Sequence, residues 1–242
     1  MTWSIVARED SGAFGVAVAS RFFAVGALCP HARAGAGALA TQALVNPGLG
    51  PAGLDLLEQG FEAAHVIESL VAADPGRDVR QLHTVDASGR SAAYTGAQCI
   101  DWCGHLTADG FSVAGNMLEG RRVIDATADA YVRSADRPFA ERLIAALEAG
   151  ESAGGDKRGK QAAALLIVTT ETYPTLDLRV DDHDEPIVEL RRLFDKSLER
   201  FQPFVACLPT RRDPRGIVDR DVIEREIDRF AAAHRQTTDN HD

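Results

Sequence analysis

A threonine stands at position 2, at the head of a segment, Thr2 to Arg8, that alternates like a β-strand. When the initiator methionine is removed, such a residue carries both a hydroxyl and a free α-amine. The hydroxyl is then the nucleophile and the amine its base. A free α-amine titrates at about 7.7–8.0, close to working pH, so it can accept the hydroxyl proton. The chemistry available to this pair is attack on a small amide or peptide-like carbonyl, with backbone N–H groups stabilising the oxyanion. A retained Met1 blocks it. No serine lies in a G-x-S-x-G elbow and no H-E-x-x-H is present. Thr2 is the catalytic candidate that remains.

Other residues could do different chemistry. In GGDKRGK, Gly154, Gly159 and Lys160 match most of a phosphate loop. Gln161 stands where Ser or Thr should hold magnesium, and a helix precedes the loop while a strand follows it. A phosphate loop needs the reverse order, so a nucleotide site is excluded. A tight turn remains, whose Asp156, Lys157 and Arg158 either line a site or form a solvated turn. In VDDHDEP, Asp181, Asp182 and His183 are candidate ligands for a divalent ion. Their place just before a helix explains them as caps with no metal. The four cysteines are Cys29, Cys99, Cys103 and Cys207. Cys99 and Cys103 with His105 lack zinc spacing and a second ligand pair. No metal and no cofactor is expected.

These residues need elements to hold them. Ala13 to Ser20 reads as a second strand, paired with the first through the turn Glu9 to Gly12. Residues 34–44 form a third, whose alternating Gly and Ala suggest a face that meets something closely. Asn46 to Pro51 is a loop. A helical pair follows, interrupted at Gly60 and stopped at Pro75-Gly76. Strands return at 79–86 and 91–96 around a turn at Ala87 to Arg90, then at Phe111 to Met117. Tyr94, Trp102 and His105 fall on loops or strand ends. Helices are expected over 121–133 and 138–149, strands over 162–168 and 175–180, and a helix from Pro186. A linker, LPTRRDPRG, precedes a last amphipathic helix. The division expected is residues 1–201 and an extension over 202–242. Blocks of strands and helices, rather than single alternation, argue against a doubly wound sheet. Two antiparallel sheets with a helix pair on each outer side satisfy the order, an α+β sandwich.

Charge narrows the partners. The chain of 242 residues has 36 Asp and Glu against 26 Lys and Arg, a formal charge of −10. Phosphate backbones recruit cations, so nucleic acid is not the expected partner. No apolar run is long enough to span a membrane. The start lacks a basic region followed by an apolar one, so a cytoplasmic protein with reduced thiols is expected.

The segments MTWSIVARED, ASRFFAVGA, ATQALVNPGLGP, DPGRDVRQL, GGDKRGKQAAALL and DLRVDDH occur in that order. Together they resemble a bacterial and archaeal family of unknown function, placed in the Ntn-hydrolase-like class. The resemblance runs to about residue 200. It implies a four-layer αββα sandwich, similar to proteasome β-subunits, with the nucleophile heading the first strand. On that pattern Thr2 is the nucleophile. Ser20 and Arg21 match the class's A-A-D-S-R segment, while Ala19 replaces its aspartate. Arg33 is the nearest residue for the class's cation, although an Arg does not shuttle a proton as Lys does. Ser20, Asn46, Asn116 and the Asp156-Lys157-Arg158 turn are the expected substrate contacts. The function implied is an amidohydrolase. The alternative is a catalytically inactive or metal-dependent Ntn-like fold that binds a small molecule. A homodimer or other homo-oligomer is expected.

Overall fold

The computed structural model describes residues 2–239. Contacts divide the chain into two compact units, residues 1–190 and 191–242.

In the first unit, β1 (Thr2–Arg8) and β2 (Phe14–Ser20) form the expected hairpin, with Thr2 opposite Ser20 and Arg8 opposite Phe14. Both strands are buried almost throughout, because each is covered on two faces. A short strand that the sequence pattern does not mark, β3 (Pro30–Arg33), precedes the strand expected over 34–44, which is β4 (Gly37–Ala43). The chain turns between them at Gly35, whose φ of +76° suits glycine. Next come α1 (Leu49–Glu58) and α2 (Ala63–Ala73), with Gly60 between them at φ +88°. β5 (Arg80–Asp86) and β6 (Ser91–Thr95) follow as expected.

Trp102 heads a strand, β7 (Trp102–Ala108), while His105 lies inside it; β7 pairs with β8 (Phe111–Leu118). β7 is a half-exposed edge strand, so it lacks the apolar run that marks its neighbours. Then come α3 (Arg121–Arg133), α4 (Phe139–Ser152), β9 (Ala162–Val168), β10 (Leu176–Val180) and α5 (Pro186–Glu199). The division between the two units falls inside α5.

All strand pairings are antiparallel. One sheet runs β10-β9-β2-β1-β8-β7 and the other β3-β4-β5-β6. The sheets face each other, β1 against β4 and β8 against β5. The pair α1–α2 covers the smaller sheet and α3–α4 the larger. Between the sheets Val6, Val16 and Val18 pack on Ala38, Ala40 and Val85. The small side chains of β4 let the sheets approach, as its composition suggests. Leu39 and Leu82 turn the other way, into Leu54, Leu57, Val66 and Leu70 of the helices. Each such burial contributes about 1.5–3 kcal/mol.

The second unit holds α6 (Phe201–Val205) and α7 (Arg220–Asp239), with Arg200 ion-paired to Glu224. Among the described residues, no helix is long and apolar enough to cross a membrane.

Candidate functional site

Thr2 lies opposite Ser20 on one side and Asn116 on the other, so the three form a row across β2, β1 and β8. Alternation puts Thr2 on the face of Ser4, and Ser4 reaches Gln42 and His83 of the second sheet. The row therefore faces the space between the sheets. Thr2 is 6% exposed, and its Oγ1 lies 3.1 Å from Ser20 Oγ. It lines a small recess with Phe22, Leu28, Cys29, Gln42 and Ala43. Ala43 also borders a cleft of about 290 Å³, walled further by Leu44, Val79, Cys99, Ile100, Asn116 and Met117. Both spaces are lined by uncharged residues.

Backbone strain gathers here. The described non-glycine residues with positive φ are Ala24, Ala43, Asp101 and Met117. Ala43 and Met117 line the cleft, Asp101 follows its Ile100, and Ala24 precedes Val25 of the recess. A left-handed L-residue costs about 1–2 kcal/mol, and such strain clusters at functional sites. Met117 owes its conformation to a β-bulge. Trp102 pairs with Leu118 and Gly104 with Gly115, so Asn116 and Met117 together oppose Cys103 alone. The extra residue turns Leu118 into the helix layer, where a Cβ on Gly115 would meet its Cδ1 at 2.4 Å. It also leaves Asn116 beside Thr2.

A buried polar network underlies the row. Gln81 Nε2 faces two backbone carbonyls, Gly115 O at 2.8 Å and Gly104 O at 3.0 Å, and Thr95 Oγ1 at 2.9 Å. Carbonyls only accept, so this end of the amide is the nitrogen. Gln81 Oε1 must then accept from Gln42 Nε2 at 2.8 Å and from Asn116 Nδ2 at 3.0 Å. That fixes Gln42 in turn, whose Oε1 accepts from Ser4 Oγ at 2.6 Å and from the Cys29 thiol at 3.6 Å. Burial pushes the Cys29 thiol up to about 12, which keeps it a donor. Asn116 is held by its nitrogen, so Oδ1 is the end that the network leaves unbound among the described residues.

His83 Nε2 lies 2.7 Å from Ser4 Oγ and Nδ1 3.2 Å from Ser112 Oγ. Each hydroxyl has an acceptor of its own, Gln42 Oε1 at 2.6 Å and Leu106 O at 3.1 Å, so the neutral ring donates its one N–H to one of the two serines. His83 is fully buried, and desolvation lowers its pKa to about 3, against an opposing hydrogen bond to the Ser112 backbone. It stays neutral, so it positions the network and supplies no charge.

The other expected site residues divide. Asp156 is buried and closes the turn near the row, accepting from Arg21 N at 2.9 Å and Arg158 N at 2.8 Å. Arg158 returns to Asp156, and Lys157 lies 3.7 Å from Asp101. Asn46 caps its own loop, Oδ1 accepting from Gly48 N at 3.2 Å. Arg33 is corrected as a site cation. It pairs with Asp55 at 2.9 Å and Glu58 at 2.7 Å on α1. It sits opposite Gly37, about 17 Å along β4 from Gln42. Asp181 is engaged by Arg179, Asp182 by Gln161, and His183 Nδ1 by Glu185 N. Among the described residues, no group of three His, Cys, Asp or Glu could hold a metal. His105 bonds to Thr95, and Cys103 to Cys99 O. His31 packs its ring on Gly50 and donates to Leu28 O.

Sequence reasoning misses Ser4, Gln42, Gln81 and His83. A signal exists. Gln81 and His83 are two apart in a strand, and Ser4 and Gln42 interrupt apolar strands on faces that alternation sends inward. Buried polar residues on facing strands must find one another.

Fold and site define an α+β protein with two facing antiparallel sheets and a neutral cleft at the head of an interior strand. The chain belongs to a family of unknown function, DUF1028, whose model matches residues 2–190. It is similar to the crystal structure of protein SPO2555 from Silicibacter pomeroyi, of the same family. The TM-score is 0.84 at 33% identity, covering 90% of this chain and 96% of that one. Anbu (ancestral beta-subunit) from Yersinia bercovieri matches at TM-score 0.38 and 15% identity, over 81% of this chain and 94% of that one, too distant to argue from. No protein with a curated description matches.

Proposed function

We propose that the protein is an Ntn-type amidohydrolase with Thr2 as nucleophile, acting on a small amide or peptide-like bond. The observation that carries the reading is the row Ser20–Thr2–Asn116, with the threonine hydroxyl at the meeting point of a recess and a cleft. The reading requires a free α-amine on Thr2; Met1 lies outside the described residues.

Thr2 Oγ1 attacks the carbonyl carbon and its proton passes to the α-amine. The C–N bond breaks, and the leaving nitrogen takes that proton. Water then splits the Thr2 ester, restoring the hydroxyl and releasing the acid. Ser20 orients Oγ1 through the 3.1 Å contact. Asn116 Oδ1 accepts an N–H of the substrate, because its other end is held by Gln81. Phe22, Leu44 and Ile100 are 50%, 67% and 60% exposed beside the neutral cleft, which supports an apolar group on the substrate. Asp156 shapes its turn and touches no substrate.

The test is a panel of N-acyl and peptidyl 4-nitroanilides with neutral apolar groups. The mature protein hydrolyses a member of the panel, and Thr2→Ala lowers kcat by about a thousandfold or more. A Thr2→Ala protein with full activity ends the mechanism.

A further inference from the structure

The other end of β1 opens on a larger cavity, of about 690 Å³, within the range of small-molecule sites. Its walls are three hairpin turns and the α3–α4 pair. Arg8, the last residue of β1, and Arg142 of α4 both line it. Arg33, Arg80, Arg90 and Arg179 each pair with a carboxylate. Arg8 and Arg142 have none among the described residues, and the Nε of each is buried without a partner.

Tyr131 holds one of the two in place. The Arg142 guanidinium carbon lies 4.2 Å from the Tyr131 ring centroid. The contact with the ring face holds the guanidinium in place and leaves N–H groups for a planar acceptor. Tyr131 is 3% exposed and lines the same cavity, and its hydroxyl has no partner among the described residues. Burial pushes its pKa up to about 12, so it remains a donor at working pH.

Acids on the same wall decide what these donors receive. Glu9 accepts from Ser11 at 2.7 Å, and Glu9, Asp10 and Asp109 all lack a cationic partner among the described residues. A phosphate dianion would be repelled by them. A single carboxylate carrying its own ammonium group matches both charges. We propose that Arg8, Arg142 and Tyr131 form a binding site for a small zwitterionic carboxylate of the amino-acid or dipeptide class, its ammonium turned to Asp10 and Asp109. This site is separate from the Thr2 cleft and does not rest on the amidohydrolase reading.

The experiment is calorimetric titration of the full chain with glycyl-phenylalanine, its C-terminal amide, its N-acetyl derivative and inorganic phosphate. The dipeptide binds saturably below about 10 mM, and both blocked forms bind about tenfold more weakly or worse. Arg142→Gln and Arg8→Gln each weaken the dipeptide about tenfold, Tyr131→Phe about threefold, and Thr2→Ala leaves it unchanged. Thermal melts identify any variant that fails to fold, and Tyr131→Phe, the smallest change, keeps the test standing if an arginine variant does. Absence of saturable binding overturns the proposal. So do phosphate binding as tight as the dipeptide, full affinity in folded Arg142→Gln, and loss of binding in Thr2→Ala.

Discussion

The two ends of β1 lie about 20 Å apart and differ in kind. At Thr2 the neighbours are neutral, the backbone is strained, and the amides beneath are paired in the one orientation that two carbonyls permit. At Arg8 the turns are polar, charges of both signs stand unpaired among the described residues, and the cavity is more than twice as large. A neutral end with every amide oriented can fix a reacting group to within fractions of an ångström but attracts nothing from a distance. A charged, open end draws ions yet holds them loosely. On the two proposed readings, one strand carries a site built for geometry and a site built for charge.

That contrast can be broken by changes at one end that must not be felt at the other. The largest effect belongs to Thr2→Ala, which abolishes hydrolysis of the nitroanilide panel while leaving dipeptide binding intact. Next comes Gln81→Leu. It strips two backbone carbonyls, one of them buried, and two amide nitrogens of their partner, so stability in urea falls by about 3 kcal/mol or more.

Acid gives the third prediction. His83 has its folded pKa lowered from 6.5 to about 3, so its contribution is fully present above the unfolded value. As pH falls from 6.5 toward 3, the unfolded chain takes a proton that the folded one refuses. The wild-type protein then loses stability relative to His83→Gln by up to about 1.4 kcal/mol per pH unit. A difference that does not change with pH in this range contradicts the neutral assignment.

Two smaller effects sharpen the comparison. Ala43→Gly relieves a left-handed alanine and raises stability by up to about 1 kcal/mol, with slower hydrolysis if the strain positions the cleft. Arg33→Ala removes half-exposed ion pairs, lowers stability by about 0.5 kcal/mol, and leaves hydrolysis unchanged.

The sequence makes the helices, the first hairpin and the sheet-forming runs legible, because each keeps one period for its whole length. β7 escapes because its half-exposed residues, Trp102 to Ala108, give neither an apolar run nor a clean alternation. The boundary of β4 escapes because Gly35 and Gly37 look alike in sequence, though only Gly35 needs a left-handed backbone. At the site, Thr2, Ser20 and Asn116 are readable as residues, but their shared row depends on strand order, which no local pattern carries. Arg33 misleads for the same reason: it is near in sequence to the strand that faces Thr2, and the hairpin carries it to the far end. The Gln42–Gln81–Asn116 network joins three strands from two sheets, so its coupling exists only after folding.

The most direct test of the account is the intact mass of the purified protein before and after exposure to a β-lactone, which acylates an activated hydroxyl. The account predicts a mass lacking Met1 and a single adduct that peptide mapping assigns to Thr2, absent from Thr2→Ala. A protein lacking Met1 that forms no adduct, or one modified elsewhere while Thr2 stays free, contradicts it.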